Sequence, residues 1–527
     1  MCLDPDGGEV STKRIIRDIG IVTMLLAGRS IVGFIREVVM ASYFGRGFVM
    51  DAFGIASRIP ITIANLLVVG VFSAVFLPIF TRYIVEGRKE ELNRLVGVLF
   101  IIITIGFTVL VILGEVFAKP FITTFLANPK TAPETVEEAV VLFRLMLPAV
   151  LLMAWAGLAQ GVHNSFQRFT MPAFGNLLFN LWMVLPMWIF PASWGIRGIA
   201  IGVLIGAVFQ LGIQLPGLFG KNLKLEINFN MHHPALIGIG SLILPVLLGS
   251  GTAYIVPIFE RYLASGIPGA VAALDKAFQV SQLPLSIFVL AISTIVYPMF
   301  AEAVARNRPE ALKYNILWGL RLVTIVIIPA GFGLLALAHP IVMMLFQRGE
   351  WKFIDTMVTA GPLAFYGVAL LPWALTAVLI KVFYSLGDTK TPVWIALVTL
   401  STNVILDILL LRFRVVGLSV GATCAAFLGL FLQILMVRKK IGIFGMTSLL
   451  TSVVKSTIAS VAMGFTAYFI AIRANYVFNL GTNFARSVQV GFAIVAGILV
   501  YFIVLYIIDR KEINEILTVL RRRGQPS

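Results

Sequence analysis

Apolar residues in this chain recur in runs of roughly 20, separated by short breaks that carry charge, proline or glycine. Each run is long enough for a helix to cross about 30 Å of hydrocarbon, and the shorter alternating segments of an outer-membrane barrel are absent from the pattern. The pattern predicts an all-α polytopic membrane protein. About 14 transmembrane helices are expected, beginning near residues 16, 49, 94, 137, 170, 197, 234, 274, 313, 357, 391, 415, 452 and 486. The connections are short and none could hold a soluble catalytic domain, so function must lie among the helices or on a short rim.

Composition agrees. With 59% hydrophobic residues against 13% charged and a mean hydropathy of +0.97, the 527-residue chain cannot coat a soluble globule with polar surface. A net charge of +16 would suggest nucleic acid in a soluble protein, but here its distribution over the loops decides its meaning. Positive residues gather at both ends and in alternate connections, among them Lys13, Arg14, Arg17, Arg82, Arg88, Lys89, Arg94, Arg306, Arg308, Lys313, Arg438, Lys439, Lys440, Arg510, Lys511 and Arg521 to Arg523. The opposite loops hold fewer, such as Arg46, Lys119, Lys130, Arg197, Lys352 and Arg473. Both termini are therefore expected in the cytoplasm. The first helix has no small-residue cleavage site and is expected to be a retained span.

The halves repeat. SAVFLPIF at 73–80 aligns with STIVYPMF at 293–300, an offset of 220 that also pairs Pro120 with Pro340, Ser165 with Ser385 and Pro172 with Pro392. Gly198 and Gly202 pair with Gly417 and Gly421 at an offset of 219. Each copy holds six spans, an even number, which gives two pseudo-symmetric lobes in a parallel repeat related by an axis along the membrane normal. The expected organisation is an N-lobe at 1–225, a C-lobe at 226–445, and a final helix pair with a basic cytoplasmic tail at 446–527. Two parallel lobes with a solute site between them are the plan of an alternating-access transporter.

Charges inside the spans then need a purpose, because a central charge costs about 2.5 to 3.5 kcal/mol on insertion scales. Within GRSIVGFIREVVMA at 28–41, Arg29 and Arg36 are seven residues apart, on one helical face together with Gly33. They cannot both snorkel to one interface. Arg58, Lys276 and Arg144 add cations, which Glu37, Asp51 and Asp275 only partly offset, so the inferred cavity is cationic. Arginine presents a planar fork of donors matched to phosphate oxygens, which favours an anionic, phosphorylated solute. In STNVILDILLL, Asn403 and Asp407 are four apart on one face inside hydrocarbon, either a packing pair or part of a proton or cation site with an oxygen donor such as Thr423.

Catalytic and metal signatures are missing. The histidines are His163, His232, His233 and His339, with no HExxH, and no phosphate-binding loop, nucleophile elbow or dinucleotide fingerprint occurs. Cys2 and Cys424 allow neither a disulfide framework nor a thiolate metal site. No metal site and no cofactor are expected.

The stretch GRSIVGFIREVVMASYFGRGFVMDAF, followed by FSAVFLP, resembles the opening two helices of the MurJ (MviN) family of lipid II flippases, within the multidrug/oligosaccharidyl-lipid/polysaccharide exporter superfamily. The resemblance continues through QLPLSIFVLAISTIVYP and the segment at 391–407 and covers nearly the whole chain. It implies fourteen helices in a V-shaped pair of lobes, with the last two forming a groove for a polyprenyl tail. Arg29, Arg36, Glu37, Asp51 and Arg58 fall on family charged positions, Glu37 standing where Asp is usual. Three positions depart: an Arg is replaced around Ala64 and Asn65, a Glu is replaced by Val69, and an Arg five residues before Pro284 is Gln279. Lys276, one turn earlier, is the candidate to compensate. Some relatives place a sodium site at positions matching Asn403 and Asp407, completed by an acidic residue of the seventh helix, where this chain offers only Glu260 nearby.

The resulting expectation is a flippase of the bacterial cytoplasmic membrane, monomeric and non-enzymatic, that carries a polyprenyl-diphosphate-linked saccharide, lipid II foremost, between leaflets. Coupling to membrane potential, H+ or Na+ is open. The alternatives are an exporter of another lipid-linked oligosaccharide or of amphipathic drugs, for which a cationic drug would need a carboxylate-lined cavity, and a membrane-embedded glycosyltransferase, which would need carboxylates on an extended outer loop.

Overall fold

The computed structural model describes residues 12–66, 75–218, 235–477 and 482–510. Every element among them is a helix, and the chain divides into two compact units, Met1–Val271 and Ala272–Ser527. Val69, Ser73, Cys2, His232, His233, Lys511 and the arginines at 521–523 lie outside the described residues, as do the side chains of Ala64, Asn65, Lys13, Arg14 and Arg17.

The first unit contains α1 (Thr12–Phe44), α2 (Phe48–Asn65), α3 (Leu77–Val85), α4 (Lys89–Val116), the short α5 (Ala118–Phe121), α6 (Pro133–Ser165), α7 (Thr170–Trp182), the short α8 (Pro186–Ile189), α9 (Gly195–Leu218) and α10 (Ala235–Ser265). Its packing uses small residues where helices meet, since lipid tails give apolar side chains no reason to leave the bilayer. Along α9, a Cβ at Gly202 would stand 2.5 Å from the carbonyl oxygen of Trp182, and one at Gly206 would stand 3.0 Å from that of Phe179, so the glycines admit the backbone of α7. At the other end, Phe76, Phe80, Leu92, Leu95, Leu158 and Val162 form a buried cluster joining α3, α4 and α6.

The second unit holds most of α11 (Ala270–Pro284), then α12 (Leu290–Ala305), α13 (Pro309–Ala336), α14 (Ala338–Phe346), α15 (Phe353–Ser385), α16 (Lys390–Leu410), α17 (Arg414–Ile441), α18 (Met446–Val477) and α19 (Asn483–Ile508). A π-helical turn at Leu285–Val289, just after Pro284, coincides with a 44° bend between the helical stretches Ala270–Val289 and Ala291–Ala305. Gly331 of α13 and Gly367 of α15 cross face to face: a Cβ on the first would come 2.5 Å from the carbonyl oxygen of the second. The last two helices are tied to α13 by polar bonds. Tyr501 donates to the Ile325 carbonyl at 2.8 Å and lies 2.9 Å from Ser456, while Arg321 Nε donates to Ser452 Oγ at 3.0 Å.

Each expected span start has a helix beginning within six residues of it. Among the described residues, nine helices are long and apolar enough to cross a membrane, or ten if the bent pair counts as one span.

The repeat is visible in the backbone. The described residues include three non-glycines with positive φ, Gln167 (58°), Asn307 (50°) and Arg414 (56°). Each is matched across the repeat by a glycine of positive φ: Gly387 (72°) and Gly87 (73°) at an offset of 220, and Gly195 (49°) at 219. The turn bonds correspond too, Arg88 N–H to Tyr83 O and Arg308 N–H to Ala303 O, both 2.9 Å. The ion pair Arg82–Glu86 (2.7 Å) recurs with its charges exchanged as Glu302–Arg306 (3.0 Å). Duplication and packing nonetheless divide the chain at different places. The first compact unit continues to Val271, past the expected lobe boundary at 226, because α10 packs against α2 and the π-helical turn Ile122–Leu126.

Candidate functional site

α1 brings its charged face against α7 by way of its glycines. A Cβ at Gly28 would rest 3.7 Å from Leu177, and one at Gly33 would lie 3.4 Å from Asn180 Oδ1. One turn beyond Gly33, Arg36 is half-buried and its fork is occupied: Nε and Nη2 donate to Glu37 Oε1 at 3.0 and 2.6 Å. Nη1 faces Asn180 Oδ1 at 3.5 Å and Met183 Sδ at 3.0 Å. Asn180 Nδ2 donates to the Asn176 carbonyl at 3.0 Å, and Asn176 Oδ1 accepts from Gln210 Nε2 of α9 at 2.8 Å. A line of uncharged amides thus runs from α9 through α7 to the arginine. Arg29, on the same face as predicted, is exposed on α1, and Arg58 is half-buried on α2 two residues before Pro60.

Asp51 is buried in the first turn of α2, and its carboxylate accepts the backbone N–H of Gly269 at 2.5 Å. Beside it, Arg46 Nη1 donates to the Pro268 carbonyl at 3.1 Å. Both side chains therefore hold the chain just before α11. Glu260, the acidic residue of the seventh span, is buried and paired with the adjacent Arg261 at 3.0 Å. Arg144, a further sequence candidate, is exposed, with Nε donating to the Glu115 carbonyl at 3.2 Å.

In the second unit, α11 places Lys276 wholly inside the protein, its ammonium 6.0 Å from the centre of the Phe346 ring, whereas Gln279 is only half-buried. These two neighbours do not share one environment. Asp275 is half-buried on the same turn. Between α16 and α17, Asn403 Nδ2 donates to Asp407 Oδ1 at 3.2 Å, both residues being buried. Gly421 of α17 makes the room: a Cβ there would overlap that same oxygen. The single O–H of Thr423 is shared between the Ser419 carbonyl at 2.7 Å and the Phe365 carbonyl at 3.1 Å, with its oxygen still able to accept. Among the described residues no cluster of three or more His, Cys, Asp or Glu side chains is placed to hold a metal, and Cys424 is free and exposed.

Sequence reasoning missed Asn180, Met183, Asn176 and Gln210. Two amides four residues apart on an apolar helix, Asn176 and Asn180, were the available signal.

The described residues thus form an all-helical apolar bundle whose first unit holds Arg36, Glu37 and Asp51 at buried or half-buried positions. The fold is similar to a solved lipid II flippase MurJ in an inward closed conformation, with a TM-score of 0.80 at 22% identity over 93% of this chain and 99% of that one. It is also similar to an inward-facing multidrug resistance MATE family transporter, with a TM-score of 0.69 at 14% identity over 80% of this chain and 96% of that one. The chain belongs to the lipid II flippase MurJ family, whose model matches residues 40–489. A probable lipid II flippase MurJ of Vibrio cholerae is 29% identical over 434 residues, 80% of this chain and 82% of the relative. One from Bdellovibrio bacteriovorus is 25% identical over the full length of both chains.

Proposed function

We propose that this multi-pass inner-membrane protein moves lipid II, a polyprenyl-diphosphate-linked saccharide, from the inner to the outer leaflet by alternating access. The observation that carries this reading is membership of the flippase family together with a half-buried arginine, Arg36, facing amides and a carboxylate within its first helix. Arginine N–H groups replace water around the diphosphate, and the polyprenyl tail remains in lipid, so the headgroup never meets bare hydrocarbon. No covalent bond is made or broken in this process. Arg29, Arg36 and Arg58 are its anion-binding groups, and Glu37 tunes Arg36 by competing for it.

Moving an anion outward against an inside-negative potential gains up to about 2.3 kcal/mol per charge per 100 mV, which would help a loaded carrier of net negative charge. Asn403, Asp407 and Thr423 are the candidates for coupling to H+ or Na+. The protein acts as a monomer with both termini in the cytoplasm, as the loop charges imply. Cysteines placed at Gly87 and Asn307 should resist an impermeant thiol reagent in intact cells, and strong labelling from outside would reverse this orientation.

The central test is Arg36→Ala in cells that depend on this protein. Lipid-linked precursor should accumulate in the inner leaflet at matched protein level, and Arg36→Ala combined with Glu37→Gln, which also removes the carboxylate left without its partner, should show the same loss. Arg36→Lys should retain part of the activity, because it keeps charge but loses the fork. Normal export by Arg36→Ala at matched expression would overturn the reading.

A further inference from the structure

The partners of Arg36 are unequal. Glu37 is an anion and takes the Nε and Nη2 edge, whereas Nη1 meets only neutral acceptors, the Asn180 carbonyl and the Met183 thioether. A charged acceptor binds a guanidinium about twice as strongly as a neutral one, so an incoming phosphate oxygen displaces the neutral side first. Asn180 cannot turn its amide freely. Its Nδ2 is committed to the Asn176 carbonyl, which fixes Oδ1 toward α1, and Asn176 is in turn held by Gln210 of α9. Gly33 lets the backbone of α1 approach this oxygen, since a Cβ there would already be 3.4 Å from it.

We infer that Asn180, oriented through Asn176 and Gln210, is a positioning residue for the anion-binding step: it holds the Nη1 edge of Arg36 away from Glu37 and yields it to the substrate's diphosphate. Without this neutral acceptor, Glu37 is left as the dominant partner and the fork turns toward it. With a carboxylate in its place, the fork would be filled on both edges. The order of effects follows from that geometry. Asn180→Asp is the most damaging change, Asn180→Leu intermediate, and Gln210→Leu, acting through Asn176, the mildest.

This inference rests on the reading that Arg36 meets the diphosphate, so the experiment includes both. Lipid II would be titrated into the purified full-length protein in lipid nanodiscs, and binding followed by native mass spectrometry, for wild type, Asn180→Asp, Asn180→Leu, Arg36→Ala and the two double variants with Arg36→Ala. Asn180→Asp should weaken lipid II binding at least tenfold and Asn180→Leu several-fold, with unchanged melting temperature. In the Arg36→Ala background neither should weaken binding further, because the group they act on is gone. Asn180→Asp binding as wild type does, or its full effect persisting on Arg36→Ala, would overturn the positioning role. Wild-type binding by Arg36→Ala alone would instead overturn the site itself, an outcome separate from the first.

Discussion

The two units hold opposite charges at corresponding helices, α7 and α16, which begin 220 residues apart at Thr170 and Lys390. In the first unit, Met183 helps receive the guanidinium of Arg36 from a neighbouring helix, and the surrounding polar groups are the amides Asn176, Asn180 and Gln210. In the second unit, Asn403 donates to the carboxylate of Asp407 on its own helix. The glycine ladders match as well, but Gly202 admits the backbone carbonyl of Trp182 while its mate Gly421 admits a side-chain carboxylate. Duplication thus preserved the close helix approach and let the polar contents diverge. One copy receives a guanidinium from a neighbouring helix; the other keeps a carboxylate hydrogen-bonded within its own helix.

The glycines offer the strongest way to break this comparison. Gly202→Ala and Gly421→Ala should each destabilise the protein by about 1–3 kcal/mol through overpacking, read as a lower melting temperature. Only the second should be largely relieved by Asp407→Ala, since its severe obstacle is a side-chain oxygen, the main chain there standing 3.3 Å away, whereas that of Gly202 includes a main-chain oxygen at 2.5 Å and Pro186. Equal response of both to side-chain truncation would mean that the two ladders do not differ as described.

A functional contrast comes next. Asp407→Asn keeps shape and hydrogen bonding but removes the charge, so if Asp407 binds a cation or proton the change should impair transport while leaving folding intact. Unchanged transport in flipping assays across pH and sodium concentration would reassign Asp407 to helix packing.

Smaller effects are expected at the turn after α15. Burial alone would raise the Asp388 carboxyl, but Lys440 at 2.8 Å and the Thr391 N–H at 3.0 Å outweigh it and hold it well below the usual carboxylate range. A depressed folded value means the stabilisation is fully present above the unfolded value of about 3.9 and is lost as pH falls through the folded one. Asp388→Asn should therefore cost roughly 0.2–1 kcal/mol near neutrality, and its disadvantage should shrink in acid below about pH 4. Thermal unfolding measured against pH tests this, and a constant gap would deny the link. Smallest is Arg414→Gly. With φ 56° and ψ −137°, Arg414 occupies a conformation that favours glycine, and relief of that strain should raise stability by about 1 kcal/mol or less after the entropy glycine brings to the unfolded chain.

Much of this was legible in the sequence. Apolar runs of this length give helices because a bilayer leaves the backbone only a helix or a closed barrel in which to bond itself and the barrel's short alternating segments are absent, and the matched spacing of prolines and glycines across the halves exposed the repeat. The i, i+4 spacing of Asn403 and Asp407 and the shared face of Arg29 and Arg36 are properties of a single helix and needed no tertiary information. What stayed hidden lies between helices. Asn180 and Gln210 are 144 and 174 residues from Arg36 and carry no charge, so nothing local marks them. Lys276 resembled a cavity cation, yet a rotation of less than one turn from Gln279 turns it into the interior against Phe346. The seventh helix was grouped by sequence similarity, while its packing partner, α2, is set by contact.

The left-handed residues also serve as a ruler. Gly87 and Gln167 are 80 residues apart, and so are Asn307 and Gly387, which means that two long helices between them have kept their length to the residue. That constancy has a mechanical cause, because one inserted residue would swing everything after it by about 100° and carry a buried face toward lipid. From Gln167 to Gly195 the count is 28, but from Gly387 to Arg414 it is 27. The extra residue of the first copy falls in the stretch where α7 stops at Trp182 and restarts as α8, while α16 runs unbroken to Leu410. This change in chain length falls where the helix is interrupted, and Met183, whose sulfur accepts from Arg36, lies at that interruption.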